Sequence, residues 1–276
     1  MHPGSSKFRI GAVSYLNPVP LVWGMLHGPQ REFVDLSFSI PSLCAAQLER
    51  GEIEVGLVPV AEIARQSLDM VPGVGIACLG PVRSILLFSR VPWNKVRTLA
   101  ADSSSRTSVQ LARVILSERY GAEPAIKPHV PELGAMLSQA DAALLIGDSA
   151  LRVNPEELST LHPKVEYLDL GAEWLALTGL PFVFAAWAGK PGIPLESLAA
   201  ITLGSYEYGK SRLAEIAEHE YRSRGISKEL AERYLTHHIH YELGAREQQG
   251  LEAFLQLAGL AKPPLAKAGL AEAGRL

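Results

Sequence analysis

The sequence predicts an α/β protein of two lobes with a ligand cleft between them, and three observations carry that prediction. Strand-like and helix-like patterns alternate over the first ninety residues, and a second strand–helix–strand set opens near residue 97. Two long apolar runs, residues 84–90 and 180–189, bracket that second set. A βαβα rhythm implies a mostly parallel sheet with helices on its faces. At 276 residues the chain is longer than one ordinary domain and has ample material for sizeable cores.

Taken in order, residues 8–15 (FRIGAVSY) read as a buried strand that ends at Asn17-Pro18. Asparagine suits a helix N-cap and proline the first turn, so a helix follows through Trp23 and Met25. Residues 34–40 (VDLSFSI) alternate as a strand does. Pro41-Ser42 opens a helix through Leu43, Ala46 and Leu48 that Gly51 closes. IEVGLVPV (53–60) is the next strand and AEIARQSL (61–68) the next helix.

From Gly75 the pattern changes. GIACLGPV (75–82) and SILLFSR (84–90) are apolar strands with a short break between them, followed by Pro92 and Trp93. RTLAAD (97–102) starts a new unit, with a polar loop at 103–108 and a helix over 109–121. DAALLIGD (141–148) is a buried strand and SALRV (149–153) starts another helix. LPFVFAAWAG (180–189) returns as a strand, and beyond Gly192 the chain is mostly helical, over 213–225, 228–239 and 246–260. The tail after Leu260 carries Pro-Pro and is expected to fray. Two crossings place residues 1–89 with 186–276 in one lobe and 90–185 in the other, with hinge strands near 84–90 and 182–189. Clefts of this kind take small ligands where strand C-termini and helix N-termini meet.

Composition narrows the function classes. With 26 basic against 29 acidic residues and a net charge of −3, the chain lacks the basic surface that phosphate neutralisation requires. Hydrophobic residues at 47% exclude a disordered chain. No secretory signal is visible, and the longest apolar stretch is half the roughly 20 residues that span a bilayer. Cys44 and Cys78 form no CxxC and read as two buried thiols in a reducing compartment. The expectation is a cytoplasmic protein.

The loop DSSSRTS (102–108) is the most suggestive stretch for chemistry. It lies between a strand and a helix, so hydroxyls, N–H groups and Arg106 could converge on an anion; equally, Ser and Thr could cap the helix while Arg106 is solvated. It is not a P-loop, and no GxGxxG follows the first strand. Asn17 ends a strand at a cleft-facing position, although taken alone an N-cap is the simpler reading. Ser84 begins a hinge strand, with no GxSxG elbow around it. Asp148 follows Gly147 at another strand end and reads first as an N-cap. The run HHIH (237–240) sits in a helical stretch without partnering ligands at a recognised spacing, so no metal site is expected.

Several stretches together resemble the MqnA family of menaquinone biosynthesis: RIGAVSYLNPVPL, VGLVPVAEIAR, SILLFSR, TLAADSSSRTSVQLARVIL, DAALLIGDSAL, LGAEWLALTGLPFVFAAWA and YELGAREQQGLEAFLQLA. The resemblance runs in the family's order from about Arg9 to Leu260, and SYLN and DSSSRTS are its most specific parts. It implies a fold like the type II periplasmic binding proteins and a hydro-lyase reaction in which chorismate loses water to give 3-[(1-carboxyvinyl)oxy]benzoate. Asn17 and Ser84 are the implied catalytic residues. Substrate contacts are implied for Ser14, Pro59, Ser104, Ser105, Arg106, Thr107, Ser108, Gly147 and Asp148.

A dianionic substrate suits hydroxyls, N–H groups and one arginine, and aromatisation leaves the protein mainly orientation and leaving-group assistance. No metal or organic cofactor is required, and no nucleic-acid or membrane partner is expected; a homodimer is left open. No motif offers a protein base, so the substrate's enolpyruvyl carboxylate is expected to take the C3 proton. Two other readings stand beside this one: a cytoplasmic binding protein for a small carboxylate, and the later dihydroxynaphthoate-forming enzyme of the same pathway.

Overall fold

The computed structural model describes residues 7–102, 104 and 106–260. Ser105 and the tail expected to fray lie outside the described residues. The first unit runs β1 (Phe8–Val13), α1 (Val19–His27), β2 (Val34–Ser39), α2 (Pro41–Arg50), β3 (Val55–Pro59), α3 (Val60–Gln66) and β4 (Asp69–Cys78). Proline at the first turn and Gly51 in the left-handed region (φ 74°) bound α2 as the sequence predicts.

The middle of the chain runs β5 (Ile85–Ser89), β6 (Thr98–Asp102), α4 (Arg106–Tyr120), β7 (Ala125–His129), α5 (Leu133–Gln139) and β8 (Ala142–Ile146). It continues as α6 (Gly147–Leu151), α7 (Pro155–Leu161), β9 (Glu166–Asp169) and α8 (Leu170–Thr178). The chain closes with β10 (Phe182–Gly189), α9 (Leu195–Lys210), α10 (Leu213–Arg224), α11 (Lys228–Arg233), β11 (His240–Leu243) and α12 (Ala245–Leu257).

Two sheets organise these elements, in the orders β11-β4-β10-β3-β1-β2 and β7-β6-β8-β5-β9. Each contains a parallel trio built by helical crossovers, β2-β1-β3 in one and β7-β6-β8 in the other. Each is then extended by antiparallel pairs. The expected mostly parallel sheet is therefore corrected to two mixed sheets. The cause is the connectivity: β5 enters the second sheet, and β10 the first, directly from a crossing rather than through a βαβ unit.

Burial follows the strand period. Leu86 and Phe88 of β5 point into a core beneath α5 and α6, while Ile85 and Leu87 join the larger core. β10 is buried along its whole length, which accounts for its unbroken apolar run. Helices α1 and α9 pack closely, and a Cβ at Gly209 would lie 2.1 Å from the Pro20 carbonyl oxygen. The helical stretch expected over 228–239 changes type within its length. α11 stops at Arg233, a π-helical turn covers Tyr234–His238, and His240 then pairs with Ala77 as part of β11. Among the described residues no helix is long and apolar enough to cross a membrane. Cys44 and Cys78 are both free and buried, as expected.

Candidate active site

A cavity of about 50 Å³ lies where the two sheets meet. Its walls are the ends of β1, β3 and β8, the start of β5, and residues of α2, α4 and β10. Five of the expected residues line it: Asn17, Pro59, Ser84, Ser108 and Gly147. They arrive there for the reason the sequence suggests, since most sit at strand ends.

Asn17 does not cap α1. The N-cap position is Pro18, without a side-chain bond, and Asn17 Oδ1 is buried with no hydrogen-bond partner. A buried amide oxygen left unpaired is costly, so the simplest account is a ligand group that supplies the missing donor. Ser84 is 2% exposed; its Oγ accepts a hydrogen bond from the Tyr234 hydroxyl at 2.8 Å. Its carbonyl accepts the Gly147 N–H at 2.8 Å. Gly147 itself has φ 56°, and a Cβ there would sit 3.0 Å from the Tyr15 ring, so this turn requires glycine.

The other expected residues take different positions. Ser14 is exposed, and its carbonyl accepts Arg224 Nη1 at 2.5 Å. Asp148 is not an N-cap, a position that Ile146 holds without a side-chain bond. Its carboxylate instead reaches the other sheet, accepting the Leu16 N–H at 3.0 Å and Arg224 Nη1 at 2.6 Å. The Ser104 hydroxyl bonds the Tyr15 hydroxyl at 2.9 Å, and the Ser104 carbonyl accepts the Ser42 N–H at 3.1 Å. Thr107 Oγ1 accepts the Ala61 N–H at 3.1 Å, satisfying an N-terminal donor of α3.

Arg106 Nη1 lies 2.8 Å from Glu62 Oε1, close enough to pair but not aligned for a hydrogen bond, which leaves that oxygen without one. The guanidinium is half exposed and stands outside the cavity lining. In this structure Arg106 forms a tie across the cleft to Glu62. Through Ser104, Arg106 and Thr107 this part of the chain meets α2 and α3.

Three residues that sequence reasoning missed matter here. Tyr15 lines the cavity; burial, eased by the Ser104 bond, pushes its phenol up to about 12, so it stays protonated at neutral pH. Tyr234 is wholly buried, and burial raises its phenol further. Arg224 joins Asp148 to Glu220, with Nη2 2.7 Å from Glu220 Oε2. Burial alone would raise Glu220, but hydrogen bonds from Arg224 and His219 outweigh it and hold the carboxyl below its ordinary value. SYLN pointed at Tyr15 by adjacency, whereas nothing in the sequence links Arg224 or Tyr234 to positions more than seventy residues earlier.

The histidine run is dispersed. His238 Nδ1 contacts the Pro81 carbonyl at 2.9 Å, while His240 approaches Glu247. Among the described residues no three metal-ligating side chains cluster.

A family model described as menaquinone biosynthesis matches residues 8–259. The chain belongs to this family. A chorismate dehydratase of Thermus thermophilus is 31% identical over 271 residues, covering 94% of this chain and 97% of the relative. A second, from Campylobacter jejuni, is 24% identical over 254 residues, covering 89% and 95%. A solved Candida albicans protein described as having the generic periplasmic binding protein fold superposes with a TM-score of 0.63 at 10% identity, covering 92% of this chain and 90% of that one. The family's fold is thus the periplasmic-binding-protein-like α/β fold that the two sheets display.

Removing the Arg224 side chain strands two poorly solvated carboxylates, Asp148 and Glu220, beside each other. Arg224→Ala is expected to cost about 3 kcal/mol and lower the melting temperature by roughly 5–10 °C. Its radius of gyration by small-angle scattering should rise as the cleft opens. Unchanged values for both would remove Arg224 from the closure of the cleft.

Proposed function

We propose that the chain is a chorismate dehydratase, a hydro-lyase that converts chorismate to 3-[(1-carboxyvinyl)oxy]benzoate and water. The observation that carries the reading, for a member of this family, is the cavity's chemistry. Asn17 and Ser84 bring amide and hydroxyl groups into an otherwise largely apolar pocket whose lining, among the described residues, includes neither carboxylate nor imidazole. Two lobes follow the two sheets: β5 pairs within the second and β10 within the first, so the expected limits at 89/90 and 185/186 move to chain crossings at residues 79–84 and 179–181. The enzyme works in the cytoplasm, a compartment suited to its two unpaired thiols.

In the reaction the C3–H bonding pair becomes the C3–C4 π bond, the C4–O bond breaks, and the departing hydroxide combines with the proton from C3. The ring gains aromaticity, so orientation and help for the leaving group are what the protein must supply. Asn17 and Ser84 hold the C4 hydroxyl and the reacting geometry. The substrate's enolpyruvyl carboxylate takes the C3 proton, which accounts for a cavity without a base. No metal or organic cofactor enters this scheme. Ser108 at the start of α4 and the neighbouring N–H groups receive a carboxylate, where the helix end favours negative charge. A substrate carboxylate at the cleft mouth draws Arg106 from Glu62.

Purified protein incubated with chorismate should yield the aromatic product, seen by absorbance and mass; bound but unchanged chorismate would return the chain to a binding role. An analogue lacking the enolpyruvyl carboxylate should bind without turning over. Asp148→Asn should raise KM by loosening the tie to Arg224 while keeping most of kcat. A dead Asp148→Asn variant that still binds chorismate would make Asp148 the base instead. For the loop, Arg106→Ala should raise KM about ten-fold, consistent with one charge-assisted hydrogen bond. Glu62→Gln, which frees Arg106, should leave KM unchanged or lower; equal weakening by both would reduce the pair to a structural strut.

A further inference from the structure

Tyr234 opens the π-helical turn, and its carbonyl accepts the Ile239 N–H at 3.2 Å, a bond spanning five residues. Such turns recur at functional sites. This one is seated on the crossing between β4 and β5. His238 meets the Pro81 carbonyl at 2.9 Å, and Tyr234 donates to Ser84 Oγ at 2.8 Å. Both hydroxyls are buried, Tyr234 at 1% and Ser84 at 2% exposure.

Because Ser84 Oγ accepts from Tyr234, the proton of Ser84 must point elsewhere. Among the described residues none is seen to accept it, and Ser84 lines the cavity. We propose that Tyr234 is a positioning residue for the dehydration: it fixes the Ser84 hydroxyl as a donor into the cavity, aimed at the leaving C4 oxygen. The inference rests on the dehydratase reading and adds to it a residue 150 positions from the serine it directs.

Two physical effects give the bond its value. Orientation comes first, since an unheld serine hydroxyl rotates among acceptors and spends only part of its time as a donor to substrate. Polarisation is second: a hydroxyl that accepts a hydrogen bond becomes a better donor, by about 10–30% per bond. Tyr234 gives up no proton in this scheme. Its phenol remains neutral, the Ser84 proton stays on Ser84 after the water departs, and the water's added proton is the one lost from C3.

Tyr234→Phe retains the ring that fills the core and removes only the donor. In wild-type background the variant should lower kcat by ten-fold or more with KM changed less than two-fold. In a Ser84→Ala background, with its residual turnover, the same substitution should change kcat by less than two-fold, because Tyr234 acts through Ser84. A Tyr234→Phe enzyme with wild-type kcat overturns the inference. So does an equal loss in both backgrounds, which is what damage to the fold produces. A wild-type chain that leaves chorismate unchanged overturns the dehydratase reading and this inference together, whereas an active wild type with an indifferent Tyr234→Phe overturns this inference alone.

Discussion

The carboxylate of Asp148 joins the two sheets, and the cavity's shape depends on that junction. One oxygen takes the Leu16 N–H beside Asn17, and the other takes Arg224, which also holds the Ser14 carbonyl and Glu220. The residue before it, Gly147, binds the Ser84 carbonyl and carries the Tyr15 ring against its missing side chain. One turn at the end of β8 therefore sets the position of both expected catalytic residues, Asn17 from the first sheet and Ser84 from the crossing. A partly buried ionic group seldom stabilises a fold over an apolar substitute. Here it specifies which backbone segment of one lobe meets which of the other.

Much of the fold and part of the site were legible in the sequence. Strands with a buried face or two, such as β1, β3, β8 and β10, announce themselves by apolar runs, and their ends deliver Asn17, Pro59 and Gly147 to the cleft. The strands that escaped notice, β7, β9 and β11, are all sheet edges with little burial, so they carry no hydrophobic pattern to read. At the site, Arg106 and Thr107 show a different limit. A helix N-terminus rich in hydroxyls and carrying an arginine looks the same in sequence whether it faces a ligand or a neighbouring helix. Here Thr107 serves α3 and Arg106 pairs with Glu62. Arg224 and Tyr234 were out of reach for a simpler reason: periodicity reports a residue's own helix, not its distant partner.

The titratable groups around the cavity are taken up by burial or by fixed partners. Tyr15 and Tyr234 are held protonated by burial, and Asp148 is committed to a backbone amide and a guanidinium. For a substrate that brings two carboxylates of its own, a further carboxylate in the pocket would repel it at close range, where a low dielectric magnifies the cost. An elimination whose product is aromatic has no need to accept that cost. On the proposed mechanism, the sparse polarity of the pocket and the use of the substrate's own carboxylate as base are two aspects of one solution.

Closure has to be reversible for such a pocket to work. The cavity lies between residues of both sheets, so parting the sheets would enlarge it for a substrate. Parting breaks the bonds of Ser104 to Tyr15 and Ser42, of Thr107 to Ala61, and of Asp148 to Leu16. The neutral hydrogen bonds of Ser104 and Thr107 contribute about 1 kcal/mol each and the Asp148 carboxylate bond about twice that, and water replaces them when the cleft opens. The hydroxyl-rich loop therefore serves closure whether or not it also touches substrate. Bonds of this strength favour the closed state without locking it, and the stronger Asp148–Arg224 pair determines the register in which it closes.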